Sequence, residues 1–409
     1  MAQARCRFCS APLSRVLVDL GLSPVSNSFL KKEQLGGAEP RFPLKTFVCD
    51  ECFLVQIEPF GKPEEIFDDY VYFSSYSQSW LAHAKQYAET IAKKLSLGAK
   101  SLVVEIASND GYLLQYFRAL DIPVLGVEPA HTVAEAAEAK GIPTWQRFFG
   151  VETAKKLTAE GKQADLLIGN NVLAHVPDLN DFVAGLALAL KPRGTITMEF
   201  PHLMQMIENT QFDTIYHEHY SYLSLVTVQR VFAAHGLTIY DVEEIPTHGG
   251  SLRIHAGHPA AFASPSANVT KLLETERAKG YESAATYEGF AAKVDRIRDD
   301  LLRFLRAAKA QGKKVAGYGA AAKGNTLLNY CAIGGDLISF VADANPHKQN
   351  LFLPGSHIPV AAPSRIFAER PDYVLILPWN LTDEVSSQLE QVREWGGRFV
   401  TAVPHLRIF

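Results

Sequence analysis

Apolar residues fall in short runs of strand length along most of this chain, and helix-patterned stretches separate them. Between residues 100 and 258 such runs stand at 101–106, 123–127, 165–169 and 194–200, and two longer ones at 237–245 and 251–256 close the region. Continuous apolar strands alternating with helices predict a parallel α/β sheet covered on both faces. The closing pair predicts an antiparallel hairpin. A second strand-turn-helix begins at 314–324 and is followed by apolar runs at 337–342, 373–377 and 398–402, which predicts another Rossmann-like sheet. Between the two, Phe290, Val294, Ile297, Leu301 and Leu305 recur at helical spacing, with Lys293, Arg296, Asp299 and Asp300 on the other faces. That stripe predicts a helix laid over a sheet. A further helix is expected over 80–95.

The first 65 residues read differently. They hold short strands at 47–48 and 54–57 and a turn-rich stretch at 20–27, too little to bury a full core unaided. Three domains follow from this pattern: 1–65, 70–258 (the parallel sheet with its closing hairpin) and 259–409. The first owes its stability to something other than a core. Four of the five cysteines stand as Cys6/Cys9 and Cys49/Cys52, each pair offering two thiolates from one knuckle. Four such ligands close a tetrahedral zinc site with no open position, so the metal is expected to be structural. Two disulfides or a redox Cys-x-x-Cys are the competing readings. Cys331, in an apolar helical stretch, reads as a core residue.

Composition narrows the function classes. With 409 residues, 47% of them hydrophobic and 21% charged, the chain has room for two or three ordinary globular domains. A net charge of −4 without a dense Lys/Arg run gives no footprint for nucleic acid or an anionic membrane. No apolar signal core opens the sequence and no apolar run of about 18 residues occurs, so the expectation is a cytoplasmic protein with no membrane partner.

The densest chemical signal is 104–114, where an apolar strand ends in the small polar turn Ala107-Ser108-Asn109-Asp110-Gly111 and runs into a helix. The next strand ends in Glu128, ~20 residues on, the interval at which a carboxylate grips a ribose. Glu105 and Glu128 thus frame a nucleoside pocket, with Ala107, Ser108, Asn109 and Gly111 between them. The charges of Glu105 and Asp110 would repel a pyrophosphate, whereas S-adenosylmethionine carries a cationic sulfonium and fits. Asn170 and Asn171 end another strand at the same sheet edge and can hydrogen-bond a cofactor or substrate.

Together, 105–111, the Phe212-Asp213-Thr214-Ile215-Tyr216-His217-Glu218-His219 run and His248-Gly249-Gly250-Ser251-Leu252-Arg253 resemble the three-domain, zinc-containing sugar C-methyltransferases of deoxysugar biosynthesis. The resemblance spans nearly the whole chain. One departure is Ala107, where that family prefers glycine. The resemblance implies His219 as the base, Glu218 orienting it or contacting the sugar, and Tyr216 donating a hydrogen bond. It also implies that Tyr70 or Tyr72, in an aromatic bridge that could equally be interface packing, reaches the active site. The implied substrate is a nucleotide-linked 4-keto deoxyhexose, methylated at carbon 3 by a monomer.

The residues themselves leave more open. In a strand Tyr216 and Glu218 would share a face; in a turn Tyr216 and His219 would, and a turn is the expectation here. His175 can bind a keto oxygen or cap a helix. Lys323, among glycines at a helix start, can hold the substrate's diphosphate, although NAD with Asp343 on its ribose and a purely structural turn compete. His248 completes the substrate pocket or merely makes a hairpin turn. The rival functions are O- or N-methylation of a small molecule and a zinc-bearing binding protein with a degenerate methyltransferase core.

Overall fold

The computed structural model describes residues 4–58, 73–262 and 264–409. Tyr70 and Tyr72 lie outside these described residues. Among the described residues, three sheets of four, seven and six strands organise the fold.

The seven-stranded sheet runs, in spatial order, Thr238–Ile245, Ser251–Gly257, Leu190–Pro201, Ala164–Asn170, Val103–Ile106, Val124–Val127 and Thr144–Trp145. Ser251–Gly257 is antiparallel to both neighbours and the strands from Leu190–Pro201 onward are parallel. The strand order reverses between Val103–Ile106 and Ala164–Asn170, which opens a crevice at their carboxyl ends, where such sheets bind ligands. The expected closing hairpin is present. Thr144–Trp145 escaped sequence reading because two residues carry no periodicity.

The six-stranded sheet has the order Val360–Ala361, Val341–Ala342, Val315–Tyr318, Tyr373–Ile376, Arg398–Thr401 and Arg407–Ile408, parallel except for the last. The helix Phe290–Ala310 buries Phe290, Val294, Ile297, Leu301 and Leu305, the stripe its spacing predicts. Each such side chain contributes about 1.5–3 kcal/mol when removed from water. Part of its packing is against the N-terminal strand Arg15–Ser23.

That strand is a departure from the sequence reading, which saw turns over 20–27. Its register with Phe42–Val48 slips twice, at Val16/Val18 and Asp19/Leu22, and Gly21 sits at a φ of 76°. Bulges of this kind break the period-2 alternation that would have marked a strand. The sheet continues through Val55–Ile57 to Ser221–Tyr222, so its fourth strand comes from the far side of the sequence.

Segment 212–222 therefore runs between all three sheets. Thr326, on the helix Ala322–Tyr330, donates its hydroxyl to the Ile215 carbonyl at 2.9 Å, while Ser221–Tyr222 pairs with the N-terminal sheet. Asn325 of the same helix donates to the Ser26 carbonyl at 2.6 Å, and Leu30 and Phe352 exchange backbone bonds.

Candidate active site

The turn after Val103–Ile106 takes a left-handed backbone at Ala107 (φ 54°), Asn109 (φ 50°) and Gly111 (φ 74°). At Gly111 a Cβ would stand 2.9 Å from Ile142 Cγ1, so only glycine fits. Ala107 keeps its methyl at a positive φ, at a cost of roughly 1–2 kcal/mol, which is the physical reason glycine suits that position. The Ala107 amide still donates to Val127, at 2.8 Å.

Both Glu128 oxygens are tied down, one by the Asn109 amide and one by the Ala130 amide, each at 2.9 Å. Burial raises its pKa against the pull of those amides. Each oxygen keeps a lone pair for a ribose hydroxyl. Around it lie buried oxygens without a hydrogen-bond partner among the described residues, Ser108 Oγ, Asp110 Oδ1 and Asn171 Oδ1, and the Glu105 carboxyl, which faces the Tyr112 hydroxyl. Such orphans cost about 1–3 kcal/mol each. A ligand bearing amino and hydroxyl donors would satisfy them, and S-adenosylmethionine is such a ligand. Burial, then the Glu128 and Asp110 charges, holds Glu105 well above the usual carboxylate range. Asp110 itself is paired with Lys140 at 2.8 Å.

Glu128→Ala should weaken S-adenosylmethionine binding by roughly 1.5–3 kcal/mol, the range for a hydrogen bond to a charged group. Calorimetry checks it, and unaltered cofactor affinity would move the pocket elsewhere.

The crevice has an aromatic wall that sequence reading missed. Trp80 stacks on Tyr112 with ring centroids 6.0 Å apart and on His83 at 5.0 Å, and meets His248 edge-on at 5.5 Å. Asn170 reaches the Tyr112 hydroxyl at 3.4 Å. Beneath it, fully buried Glu199 accepts from Arg253 at 2.8 Å and from Thr247 at 2.9 Å, with His83 at 2.9 Å. This network fixes the turn that carries His248, and that turn is the hairpin connection Thr247–Gly249. His248 stands at φ 56°, and burial lowers its pKa to about 4. The signal for Trp80 and Glu199 was absent because their partners lie far off in sequence.

At the same edge, the His219 amide donates to the Tyr216 carbonyl at 2.9 Å, closing the expected turn. His219 Nδ1 lies 2.8 Å from the Thr214 carbonyl, which requires a proton on Nδ1 and leaves Nε2 as the lone-pair nitrogen. The Tyr216 hydroxyl stands 2.8 Å from Nε2. The His175 ring meets His219 edge-on, centroids 4.6 Å apart. Burial, then the neighbouring His175, keeps His219 well below the ordinary histidine pKa.

Its neighbours in sequence point elsewhere. His217 lies 3.3 Å from the Pro43 carbonyl and edge-on to Phe42. Glu218 accepts from Asn27 at 3.0 Å. The hydrogen bond that orients His219 is thus made by Thr214 and not by Glu218. Lys323 hydrogen-bonds Asn380 at 2.7 Å and sits over the Trp379 ring at 4.6 Å. For the NAD alternative, the Asp343 oxygens accept from the Ala320 amide at 2.7 Å and the Asn345 amide at 2.8 Å, as those of Glu128 accept from two amides, and the glycine turn packs on Pro378, 2.4 Å from a Cβ built on Gly319.

Burial brings Glu218 up to about 7 and His217 down to about 4. The raised Glu218 gives stability that is full below about 4.5 and lost as pH rises through about 7; the depressed His217 gives stability present above about 6.5 and lost as pH falls through about 4. The two oppose each other in between. Glu218→Gln removes the first, so unfolding free energy should rise by about 2–3 kcal/mol more between pH 5 and pH 8 than in the parent chain. Urea unfolding at the two pH values tests this, and parallel slopes would refute it.

The cysteines converge as their spacing predicts. The sulfurs of Cys6, Cys9, Cys49 and Cys52 all lie within 4.8 Å of one another, with Cys6–Cys52 and Cys9–Cys49 at 3.5 Å. In each knuckle the residue after the second cysteine turns left-handed, Ser10 at φ 62° and Phe53 at φ 61°, and its amide closes back on the first cysteine's carbonyl. Tetrahedral zinc with bonds of about 2.3 Å needs sulfurs at about this spacing, so the four thiols fit the metal. Cys331 is buried, as expected of a core residue.

Family comparisons agree with this geometry. Residues 6–67 match a zinc binding domain, 80–242 a methyltransferase domain and 246–404 a C-methyltransferase C-terminal domain. The chain is 35% identical over 403 residues to the C-methyltransferase NovU of Streptomyces niveus, covering 98% of this chain and 96% of that one. The chain belongs to this C-methyltransferase family. A ubiquinone biosynthesis O-methyltransferase of Bartonella tribocorum is 30% identical over 96 residues, 22% of this chain and 38% of that protein. Magnesium protoporphyrin IX methyltransferase of Synechocystis PCC 6803, solved with bound S-adenosylmethionine, overlays with a TM-score of 0.36 at 14% identity, over 49% of this chain and 100% of that one. As a family member the chain is an S-adenosylmethionine-dependent C-methyltransferase with a zinc-binding N-terminal domain. No helix among the described residues is long and apolar enough to cross a membrane.

Proposed function

We propose that this C-methyltransferase acts at carbon 3 of a nucleotide-linked 4-keto deoxyhexose, through an enolate generated by its own side chains. The observation that carries the reading is His219, whose lone-pair Nε2 sits beside Tyr216 and His175 at the edge where the cofactor crevice opens. Methylating carbon beside a ketone requires removing a proton from that carbon and stabilising the oxyanion that results. O- or N-methylation needs neither.

When bound, S-adenosylmethionine supplies an electrophilic methyl group. The chain supplies the rest. His219 Nε2 takes the proton in exchange for the hydrogen bond it accepts from the Tyr216 hydroxyl at rest. The Thr214 carbonyl holds the ring and its tautomer. The Tyr216 hydroxyl donates to Nε2 at rest and, once that nitrogen takes the substrate proton, can turn its O–H to the developing enolate oxygen; the His175 ring lies edge-on to His219, centroids 4.6 Å apart. Glu218, His248 and Lys323 are assigned to the sugar and its anionic diphosphate, and Tyr70 and Tyr72 to the approach to the pocket. General-base help is worth about 10²–10⁴-fold; holding carbon and methyl in line can contribute more. The domain boundaries 1–65, 70–258 and 259–409 assign metal, cofactor and nucleotide to successive units.

Mass spectrometry on a panel of nucleotide-linked keto sugars, with isotope-labelled cofactor, tests the reading. The expected product carries the label on a ring carbon, with solvent deuterium washing into that carbon in its absence. Label on oxygen or nitrogen would overturn it.

A further inference from the structure

Besides the Thr326–Ile215 bond, the C-terminal sheet meets the reaction edge through a cluster around Trp379. Trp379, which opens the short helix Trp379–Leu381, donates its indole N–H to Asp213 Oδ2 at 2.7 Å. Its ring carries Lys323 Nζ 4.6 Å from the centroid. The same ring presses on the hairpin turn, 2.3 Å from where a Cβ on Gly249 would stand, and Gln211 ties that turn down through the Gly249 carbonyl at 2.8 Å. Asp213 is fully buried in Phe212–Thr214, the turn that also orients His219. Its second oxygen, Oδ1, is buried without a hydrogen-bond partner among the described residues.

We infer that Asp213 is a positioning residue for methyl transfer: one oxygen fastens Trp379, and its charge faces the Lys323 ammonium, so that the C-terminal sheet delivers a charged lysine beside His219 and His248. Asparagine would serve as well if the indole bond were the whole purpose. The carboxylate does something an amide does not. Burial lowers the Lys323 pKa and the Asp213 charge raises it back, while burial holds Asp213 at about 6 despite the attraction of Lys323. The lysine charge in turn acts on both His219 and His248. A cation placed there favours the neutral base and the enolate that base creates. The inference rests on the proposed function, in which His219 is the base and Lys323 meets the substrate.

A double-mutant cycle on Asp213→Asn and Lys323→Met tests it. Asp213→Asn should lower turnover about tenfold or more in the parent chain and less than about twofold in the Lys323→Met background. Thermal unfolding of the same proteins needs no substrate: Lys323→Met should lower Tm by leaving a buried carboxylate uncompensated, and adding Asp213→Asn should raise it again. Equal losses of turnover in both backgrounds, or no recovery of Tm, would overturn the inference. Trp379→Phe keeps the ring and removes the N–H, so Asp213 Oδ2 loses its donor; it should lower Tm and slow turnover while leaving the chain folded, and it decides the case if Asp213→Asn does not fold. Parent turnover in that variant counts against the inference. Should the parent chain methylate no nucleotide keto sugar, the functional reading fails, while the Tm cycle still shows whether Asp213 and Lys323 are coupled.

Discussion

His219→Asn is expected to cut turnover by about 10²–10⁴-fold while leaving S-adenosylmethionine affinity close to that of the parent chain. Asparagine can still present an N–H toward the Thr214 carbonyl, now 2.8 Å from His219 Nδ1, but it has no basic nitrogen for a carbon-bound proton. Solvent exchange at the carbon beside the keto group should therefore fail together with methylation. The cofactor crevice, built on Glu105, Glu128 and the 107–111 turn, is made by other elements and should bind as before. If exchange persists at the parent rate, His219 is not the base. His175 is then the next candidate, with its ring 4.6 Å away; His217 is not, because it faces Pro43 across the N-terminal sheet. If exchange per bound substrate persists while substrate affinity collapses, His219 is a binding group.

Much of this site was legible because its parts are local in sequence. The strand-turn-helix at 103–118, the carboxylate ending the next strand and the paired cysteine knuckles each carry their signal within a few residues. The turn at 216–219 was readable from face-sharing alone, and the Tyr216–His219 contact follows from it. What stayed hidden is what depends on distant residues. Asp213 and Trp379 are 166 positions apart, and no period connects them. Glu199 could not be told from a strand residue until Arg253, His83 and Thr247 closed on it. Of the two roles implied for Glu218, orienting His219 or contacting the sugar, the hydrogen bonds supply no orienting contact: a backbone carbonyl, invisible in any motif, holds His219, and Glu218 accepts from Asn27.

Replacing Cys49 with Ser should release zinc and unfold the N-terminal sheet, and the consequence should reach the chemistry. Serine is a poor zinc ligand beside thiolate, and structural zinc sites contribute apparent binding energies of about 10–16 kcal/mol to folding, comparable with the whole stability of an ordinary domain. Cys49 directly follows the strand Phe42–Val48, and Cys52 precedes Val55–Ile57, so the metal clamps the two central strands together. Val55–Ile57 in turn pairs with Ser221–Tyr222, immediately after His219. Loosening the knuckles therefore removes one wall of the segment that positions the base, although no cysteine is near the cofactor crevice. The expected result is loss of metal by elemental analysis, a lowered thermal midpoint, and methyl transfer reduced far more than S-adenosylmethionine affinity. Full zinc content with an unchanged midpoint would reject the four-cysteine site. Zinc loss with undiminished turnover would leave the site standing and show that the pairing at Ser221–Tyr222 does not hold the catalytic turn in place.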